Sequence, residues 1–172
     1  MPISAGSNPV LMLSFLLISS FILILDQWTK SVAEAFLALG DTSPVINGVF
    51  HLTLAHNKGA AFSILKGGSF LFIAFTIFCL AAIIFILRDK NFFKKVFDLD
   101  SSDKLIRFSL ALVFGGACGN LIDRIRFSYV VDFLDFRVWP VFNLADSAIT
   151  VGGILIFYKM LRYNKERSDT RR

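Results

Sequence analysis

Three acidic residues interrupt an apolar stretch near the C-terminal end of the chain. In VVDFLDFRVWPVFNLADSAITVGG, residues 130–153, Asp132, Asp135 and Asp146 lie among aromatic and aliphatic residues. An ionised side chain within a membrane span costs about 2.5–3.5 kcal/mol on insertion scales, and such residues usually mark functional sites. Two carboxyl groups held close in a poorly hydrated site share one proton, so one can activate water while the other hydrogen-bonds a peptide carbonyl. The residues permit hydrolysis of an amide by such a pair and leave open which acids meet.

Other polar residues recur at the same predicted depth. Asn120, Asp123 and Arg124 are three or four positions apart and share one face of a helix. Asn143 and Asp146 have the same spacing at the start of the next apolar run. Two facing helices would therefore present amide, carboxylate and guanidinium groups to each other.

Several of these residues also have purely structural interpretations. Asp26 and Lys30 are four apart and fit either an ordinary helix-end ion pair or part of the site. Arg124 next to Asp123 can hold a neighbouring carboxylate ionised and in place. Asn143 can cap or bridge helices, and a solvated loop position is expected for Asp135.

The composition requires lipid as part of the solvent. The chain has 172 residues, of which 55% are hydrophobic and 20 are Phe, and its mean hydropathy is +0.66. A soluble single domain of this size cannot bury that much apolar surface. The net charge of +5 does not indicate nucleic acid, because the basic residues lie between apolar runs. Cys79 and Cys118 are expected to be small buried hydrophobes, and His51 and His56 lack metal-ligand spacing.

Four apolar runs are long enough to cross a hydrocarbon core about 30 Å thick. Only helices or closed barrels satisfy the backbone in lipid, and continuous runs indicate helices. The chain, residues 1–172, is thus predicted to be a single all-α membrane domain with spans at about 10–25, 68–87, 105–121 and 141–160. Between the first two spans, PVINGVFHLTLA (44–55) has β-branched and aromatic residues around an Asn-Gly turn signal. This pattern predicts a short strand or hairpin at the membrane surface.

The distribution of Lys and Arg predicts the orientation. Twelve basic residues lie in the segment 88–107 or from Lys159 onward, against six in the two connections 26–67 and 122–140. The basic side faces the cytoplasm, which places both termini, the loop 88–104 and the tail 161–172 there. The connections 26–67 and 122–140 face outward. The polar residues described above then gather near the outer leaflet.

Three other interpretations fit less well. A cleavable signal peptide would explain Ala33-Glu34-Ala35, but no basic residue precedes the first apolar run, and Asp26 and Lys30 intervene. A transport path needs polar residues throughout the membrane depth, whereas these gather at one side. A non-catalytic assembly subunit would tolerate Asp146→Asn.

Five short segments resemble the motifs of the lipoprotein signal peptidase family, also called signal peptidase II. In chain order they are LDQWTK (25–30), HNKGAAFS (56–63), GGACGNLIDR (115–124), VVDF (130–133) and FNLADSAITVGG (142–153). The order of the motifs, the four spans and the length all fit, and the resemblance covers about residues 10–162. Lys58 stands where the family's loop motif usually has Thr.

The resemblance implies an aspartyl endopeptidase of the bacterial plasma (inner) membrane. Its substrates would be prolipoproteins, cut on the N-terminal side of a cysteine that already carries a diacylglyceryl group. Asp132 and Asp146 match the catalytic pair of the family, and no metal or organic cofactor is implied. The residues that match supporting positions are Asp26, Asn57, Asn120, Arg124 and Asn143. We expect a multi-pass monomer surrounded by membrane lipids, with no nucleic-acid partner.

One expectation concerns how the substrate docks. Gly115, Gly116 and Gly119 lie close together on the third span and permit the near approach of another helix. The apolar helix of the signal peptide is expected to lie against this glycine face.

Overall fold

The computed structural model contains four long helices and a small sheet. It describes residues 9–59, 68–89, 94–95 and 99–170, without the side chains of 68–69 and 164–170. The elements in chain order are helix α1 (Pro9–Phe36), strands β1 (Thr42–Ile46) and β2 (Phe50–Asn57), helices α2 (Gly68–Arg88) and α3 (Lys104–Phe127), strand β3 (Val130–Asp135) and helix α4 (Leu144–Thr170). Each helix is long and apolar enough to cross a membrane. The predicted class, four membrane helices with a β element after the first, is confirmed.

The helices do not begin and end where the apolar runs do. Helix α1 continues to Phe36 and α3 to Phe127, so both extend past the predicted spans into the predicted outer connections. Helix α4 begins at Leu144 rather than at 141, because the backbone of Phe142 exchanges hydrogen bonds with Leu134 of β3. Hydropathy marks where the lipid ends, whereas the helical hydrogen bonds continue until a tertiary contact or a cap ends them.

Helix α3 lies at the centre of the bundle and packs against the other three helices. Its glycines permit this, as predicted. A Cβ added at Gly115 would lie 2.5 Å from the carbonyl oxygen of Ser19 in α1, and one at Gly116 would lie 2.5 Å from that of Ala145 in α4. The glycine face is therefore covered by the protein's own helices. The expectation that a substrate helix lies on it is wrong.

The sheet joins both outer connections. Its order is β1-β2-β3, with antiparallel pairing throughout. Strand β3 was not predicted, and its Asp132 is paired in register with Ala55 of β2. Buried Leu54, Val131 and Phe133 form an apolar cluster with Ala33 near the end of α1. The extension of α1 thus packs against the sheet, and the pairing of β3 with β2 fixes the position of Asp132.

Candidate active site

The polar residues predicted from the sequence converge at one end of the helix bundle. They come from segments far apart in the chain. The contributing residues are Asp26 of α1, Asn57 of β2, Asn120, Asp123 and Arg124 of α3, Asp132 of β3, and Asn143 and Asp146 at the start of α4.

Asp132 is buried, and amide groups hydrogen-bond both of its carboxylate oxygens. Its relative exposure is 1%. The Nδ2 of Asn57 donates to Oδ2 at 2.9 Å, and the Nδ2 of Asn143 donates to Oδ1 at 2.7 Å. Burial raises the pKa of Asp132 to about 6, and the charge of Asp146 acts in the same direction against the two amide hydrogen bonds. A proton is therefore held more tightly here than on an ordinary aspartate.

Two asparagine side chains connect Asp132 with Asp146. Besides its bond to Asp132, the Nδ2 of Asn143 donates to the Oδ1 of Asn120 at 3.1 Å. The Nδ2 of Asn120 in turn donates to the Oδ1 of Asp146 at 2.8 Å. Asn143 also accepts the backbone N–H of Asp146 at 2.9 Å, so it caps α4 as well as bridging the acids. Asp146 is only partly buried, so one acid of the pair remains accessible.

Lys30 is a central residue of the site that the sequence analysis did not assign to it. Its side chain is 3% exposed, and its Nζ lies 2.8 Å from a carboxylate oxygen of Asp26 and 2.8 Å from one of Asp123. It also donates to the Oδ1 of Asn120 at 3.0 Å. The sequence feature that could have identified Lys30 as a site residue is its spacing of four from Asp26 within LDQWTK. Without knowledge that α1 extends past the apolar run, this spacing fitted a surface pair equally well.

Asp26 and Asp123, the two acids that contact Lys30, accept hydrogen bonds from the backbone next to Asp146 and Asp132. The backbone N–H of Ala145, next to Asp146, donates to Asp26 at 2.9 Å. The backbone N–H of Val131, next to Asp132, donates to Asp123 at 3.2 Å. Asp26 and Asp123 are therefore positioning residues for the start of α4 and for β3.

Arg124 does not form the close carboxylate contact that was predicted for it. Asp123 pairs with Lys30, and no ion pair of Arg124 lies within 4.0 Å in the described ranges. Its guanidinium donates to the backbone oxygen of Asn120 at 3.3 Å and lies 5.0 Å from the ring centre of Phe72. The negative charges of Asp146 and Asp132 act on it from a longer distance.

Asp135 is buried, so the expectation of a solvated loop position is wrong. It is 5% exposed and ends β3. Its carboxylate accepts hydrogen bonds from the Thr53 hydroxyl at 2.8 Å and from the backbone and side chain of Arg137. These bonds, that from Thr53 with the largest effect, hold the pKa of Asp135 below its usual value. Successive side chains of a strand alternate between its faces, so Asp135 and Asp132, three apart, point to opposite sides.

Comparisons with known proteins identify this arrangement. A family model described as "Signal peptidase (SPase) II" matches residues 18–162. The lipoprotein signal peptidase of Moorella thermoacetica is 45% identical over 147 residues, which cover 86% of this chain and 92% of that protein. That of Halothermothrix orenii is 40% identical over 145 residues, with coverages of 84% and 92%.

Solved structures agree with the sequence comparisons. A bacterial membrane enzyme determined by the in meso method superposes with a TM-score of 0.77 at 33% identity, covering 89% of this chain and 90% of that one. A second such structure has the same TM-score at 34% identity, with coverages of 86% and 92%. The likeness thus includes the helices and the sheet together.

Proposed function

This chain belongs to the signal peptidase II family, and we propose that it cleaves lipid-modified prolipoproteins as an aspartic endopeptidase. Family membership makes it a membrane-bound peptidase that removes signal peptides from prolipoproteins. The proposal adds the catalytic acids, Asp132 and Asp146, and the cut on the N-terminal side of a diacylglyceryl-modified cysteine. The observation that carries it is the connection of these two acids through Asn143 and Asn120.

The partners of the two acids support a shared proton. Within the described ranges, no Lys, Arg or His lies within 4.0 Å of either carboxylate. Their hydrogen-bond donors are neutral amides, and the negative charge of Asp146 opposes ionisation of Asp132. The raised pKa of Asp132 supports a working state in which one proton is present on the two acids.

The reaction follows from that one proton. The ionised carboxylate removes a proton from water, whose oxygen attacks the carbonyl carbon of the scissile peptide bond. The protonated carboxyl hydrogen-bonds the carbonyl oxygen, which gains negative charge as the tetrahedral intermediate forms. The intermediate collapses with cleavage of the C–N bond, and the leaving nitrogen takes a proton from the pair. Water is thereby divided between the new carboxyl and amino ends.

The location of the cluster suits such a substrate. All of its members lie at one end of the bundle, so a lipid-anchored cysteine can present its peptide bond there while its acyl chains stay in the bilayer. By the charge pattern, that end faces the outer leaflet of the plasma membrane, with both termini in the cytoplasm. A single chain supplies both acids, which supports action as a monomer.

The test is cleavage of a diacylglyceryl-modified prolipoprotein in liposomes, with mass spectrometry of both products. We expect one cut directly before the lipidated cysteine. Asp132→Asn and Asp146→Asn should each lower the rate by about 10²–10⁴-fold, because each removes one partner of the acid–base pair. The thermal unfolding of each variant is measured in parallel to verify folding.

Asp135→Asn is the matched control, because Asp135 lies on the same strand and is also buried. This variant should retain most of the activity. Substantial cleavage by either Asp132→Asn or Asp146→Asn would refute the assigned pair. A wild-type cut at another bond would refute the proposed specificity.

A further inference from the structure

Asn57 supplies one of the amide hydrogen bonds that Asp132 accepts, and its side chain is held in one orientation. The backbone N–H of Gly59 donates to the Oδ1 of Asn57 at 2.8 Å. A backbone N–H can only donate, so the Oδ1 must face Gly59 and the Nδ2 is left to face Asp132. The Nδ2 lies 2.9 Å from the Oδ2 of Asp132. The turn at Gly59 therefore determines whether Asn57 presents a donor to this acid.

An aromatic ring from α2 packs against that turn. Gly59 has a φ of +79°, in the left-handed region that favours glycine. A methyl group added at Gly59 would overlap the ring of Phe72, so the ring can approach only because no side chain is present there. The guanidinium of Arg124 lies 5.0 Å from the centre of the same ring, which is within the range of a cation–π contact. Phe72 thus contacts two segments that surround the acids.

Phe72 differs from the other phenylalanines of its helix. Helix α2 packs mainly on α3, and the side chains of Phe75 and Phe78 are 67% and 69% exposed, as expected for a surface that faces lipid. Phe72, in the first turns of α2, is half-buried. A change at Phe72 should therefore alter the turn at Gly59, whereas a change at Phe78 alters a surface that lipid covers.

We infer that Phe72 is a positioning residue, because its ring confines the turn at Gly59 and so keeps the amide of Asn57 donating to Asp132. It acts through Asn57 and not on the reacting atoms. The catalytic consequence rests on the proposed function. The effect on Asp132 rests on the packing alone and can be measured without a substrate.

The electrostatics of Asp132 give this effect a sign. Burial raises the pKa of Asp132 to about 6, and the hydrogen bond from Asn57 opposes that rise. The charged groups that act on Asp132 are Asp146, which raises its pKa, and Lys30 and Arg124, whose positive charges lower it. Loss of the bond from Asn57 raises the pKa of Asp132 further. Movement of the freed guanidinium of Arg124 toward Asp132 would lower it instead, so the direction of the shift separates the two routes.

The test titrates Asp132 in the purified full-length protein in detergent, without substrate. Infrared spectroscopy follows the band of its protonated carboxyl group, which is assigned by its loss in Asp132→Asn. In Phe72→Leu the midpoint should lie about 0.5–1 pH unit above that of the wild type. Phe72→Tyr keeps the ring and should keep the midpoint. Phe78→Leu removes an exposed ring of the same helix and should also leave it unchanged.

A double variant shows whether the effect passes through Asn57. Asn57→Ala should raise the midpoint by at least as much as Phe72→Leu, and the double variant Asn57→Ala/Phe72→Leu should show no further rise. In prolipoprotein cleavage, the pH profile of kcat/KM should move upward by the same amount in Phe72→Leu, with a loss of about tenfold at its optimum. Phe72→Met, a flexible apolar replacement, repeats the titration if Phe72→Leu fails to fold.

Three results would overturn the inference. The first is a midpoint that is unchanged or lowered in the folded Phe72 variants that lack the ring. The second is a rise that persists in full on the Asn57→Ala background, and the third is an equal rise in Phe78→Leu. The infrared midpoint requires no cleavage, so a wild type that fails to cleave would count against the proposed function while the titration still tests the role of Phe72.

Discussion

Two pairs of aspartates lie side by side in this protein, and their partners differ. Asp26 and Asp123 contact the ammonium group of Lys30 at 2.8 Å each. Asp132 and Asp146 accept hydrogen bonds from asparagine amides instead. The first pair has a cation between its carboxylates, and the second pair has only neutral donors.

This difference separates positioning from chemistry. Carboxylates that contact one shared ammonium group are fixed in place, which suits Asp26 and Asp123 for hydrogen-bonding the backbones of Ala145 and Val131. Asp132, which has only neutral amides as hydrogen-bond donors, has a raised pKa, which suits a group that must both hold and release a proton in acid–base catalysis. The same residue type thus acquires two roles from the charge of its neighbours.

The largest stability effect is expected when the cation is removed from the first pair. Lys30→Met leaves two buried carboxylates without their counter-charge, which should lower the free energy of unfolding by about 3–5 kcal/mol. Unfolding by sodium dodecyl sulfate, followed by circular dichroism in mixed micelles, measures this loss. Lys159→Met is the matched control, because Lys159 forms an equally short pair with Asp103 but is 30% exposed. That change should cost at most about 1 kcal/mol.

A double variant makes this prediction sharper. Removing Lys30 and Asp123 together restores the native net charge of the cluster, so Lys30→Met/Asp123→Asn should be less destabilised than the sum of the single changes. Equal losses in Lys30→Met and Lys159→Met would show that the buried cation has no special structural role.

Asp132 of the second pair should make stability depend on pH. Burial raises the pKa of Asp132 from 3.8 to about 6, so between these values the folded protein binds more protons than the unfolded chain. The free energy of unfolding therefore falls as the pH rises through this window, by about 3 kcal/mol in total. The Tm of the wild type minus that of Asp132→Asn should decrease between about pH 4 and pH 6.

Asp135 provides a contrast of opposite sign. Its pKa is lowered, first by the hydrogen bond from Thr53, so its contribution is present above the usual pKa and is lost as the pH falls below it. The Tm difference between the wild type and Asp135→Asn should stay constant through the window in which Asp132 titrates. A constant difference for Asp132→Asn as well would show that Asp132 is not held protonated by the fold.

The smallest effects are expected from the glycines that set the helix spacing. Gly116→Ala places a methyl group against the backbone of Ala145, beside Asp146, and Gly115→Ala places one against Ser19 of α1. Each should lower the free energy of unfolding by about 1–3 kcal/mol. Because Gly116 faces the helix that carries Asp146, its substitution should also lower kcat more than that of Gly115.

Gly153→Ala is the control for helix propensity. Apart from the nearby backbone of its own helix, no atom of the described residues lies within 4 Å of the added methyl group, so this change should stabilise the protein by up to about 1 kcal/mol. Thermal unfolding and cleavage rates are measured for all three variants. Equal kcat losses in Gly115→Ala and Gly116→Ala would mean that the spacing of α3 and α4 has no particular effect on catalysis by Asp132 and Asp146.

Local patterns in the sequence were sufficient to predict the four helices and to single out many of the site residues. Apolar runs long enough to cross a membrane predict spans because the backbone has no other partner in lipid. An aspartate at the start of such a run predicts function because its burial is costly. The motif resemblance then identified Asp132, Asp146 and the five supporting residues, which the structure brings to one end of the bundle. Their catalytic roles remain predictions.

Only the tertiary structure decided the partners of each charge. Lys30 lies between Asp26 and Asp123 because α1 continues beyond its apolar run and packs on α3, and hydropathy does not report either fact. Asp135 is buried because β3 pairs with β2, a contact between distant segments. Hydropathy describes how a segment partitions between water and lipid. Whether a carboxylate meets a cation or an amide depends on which distant segments pack together.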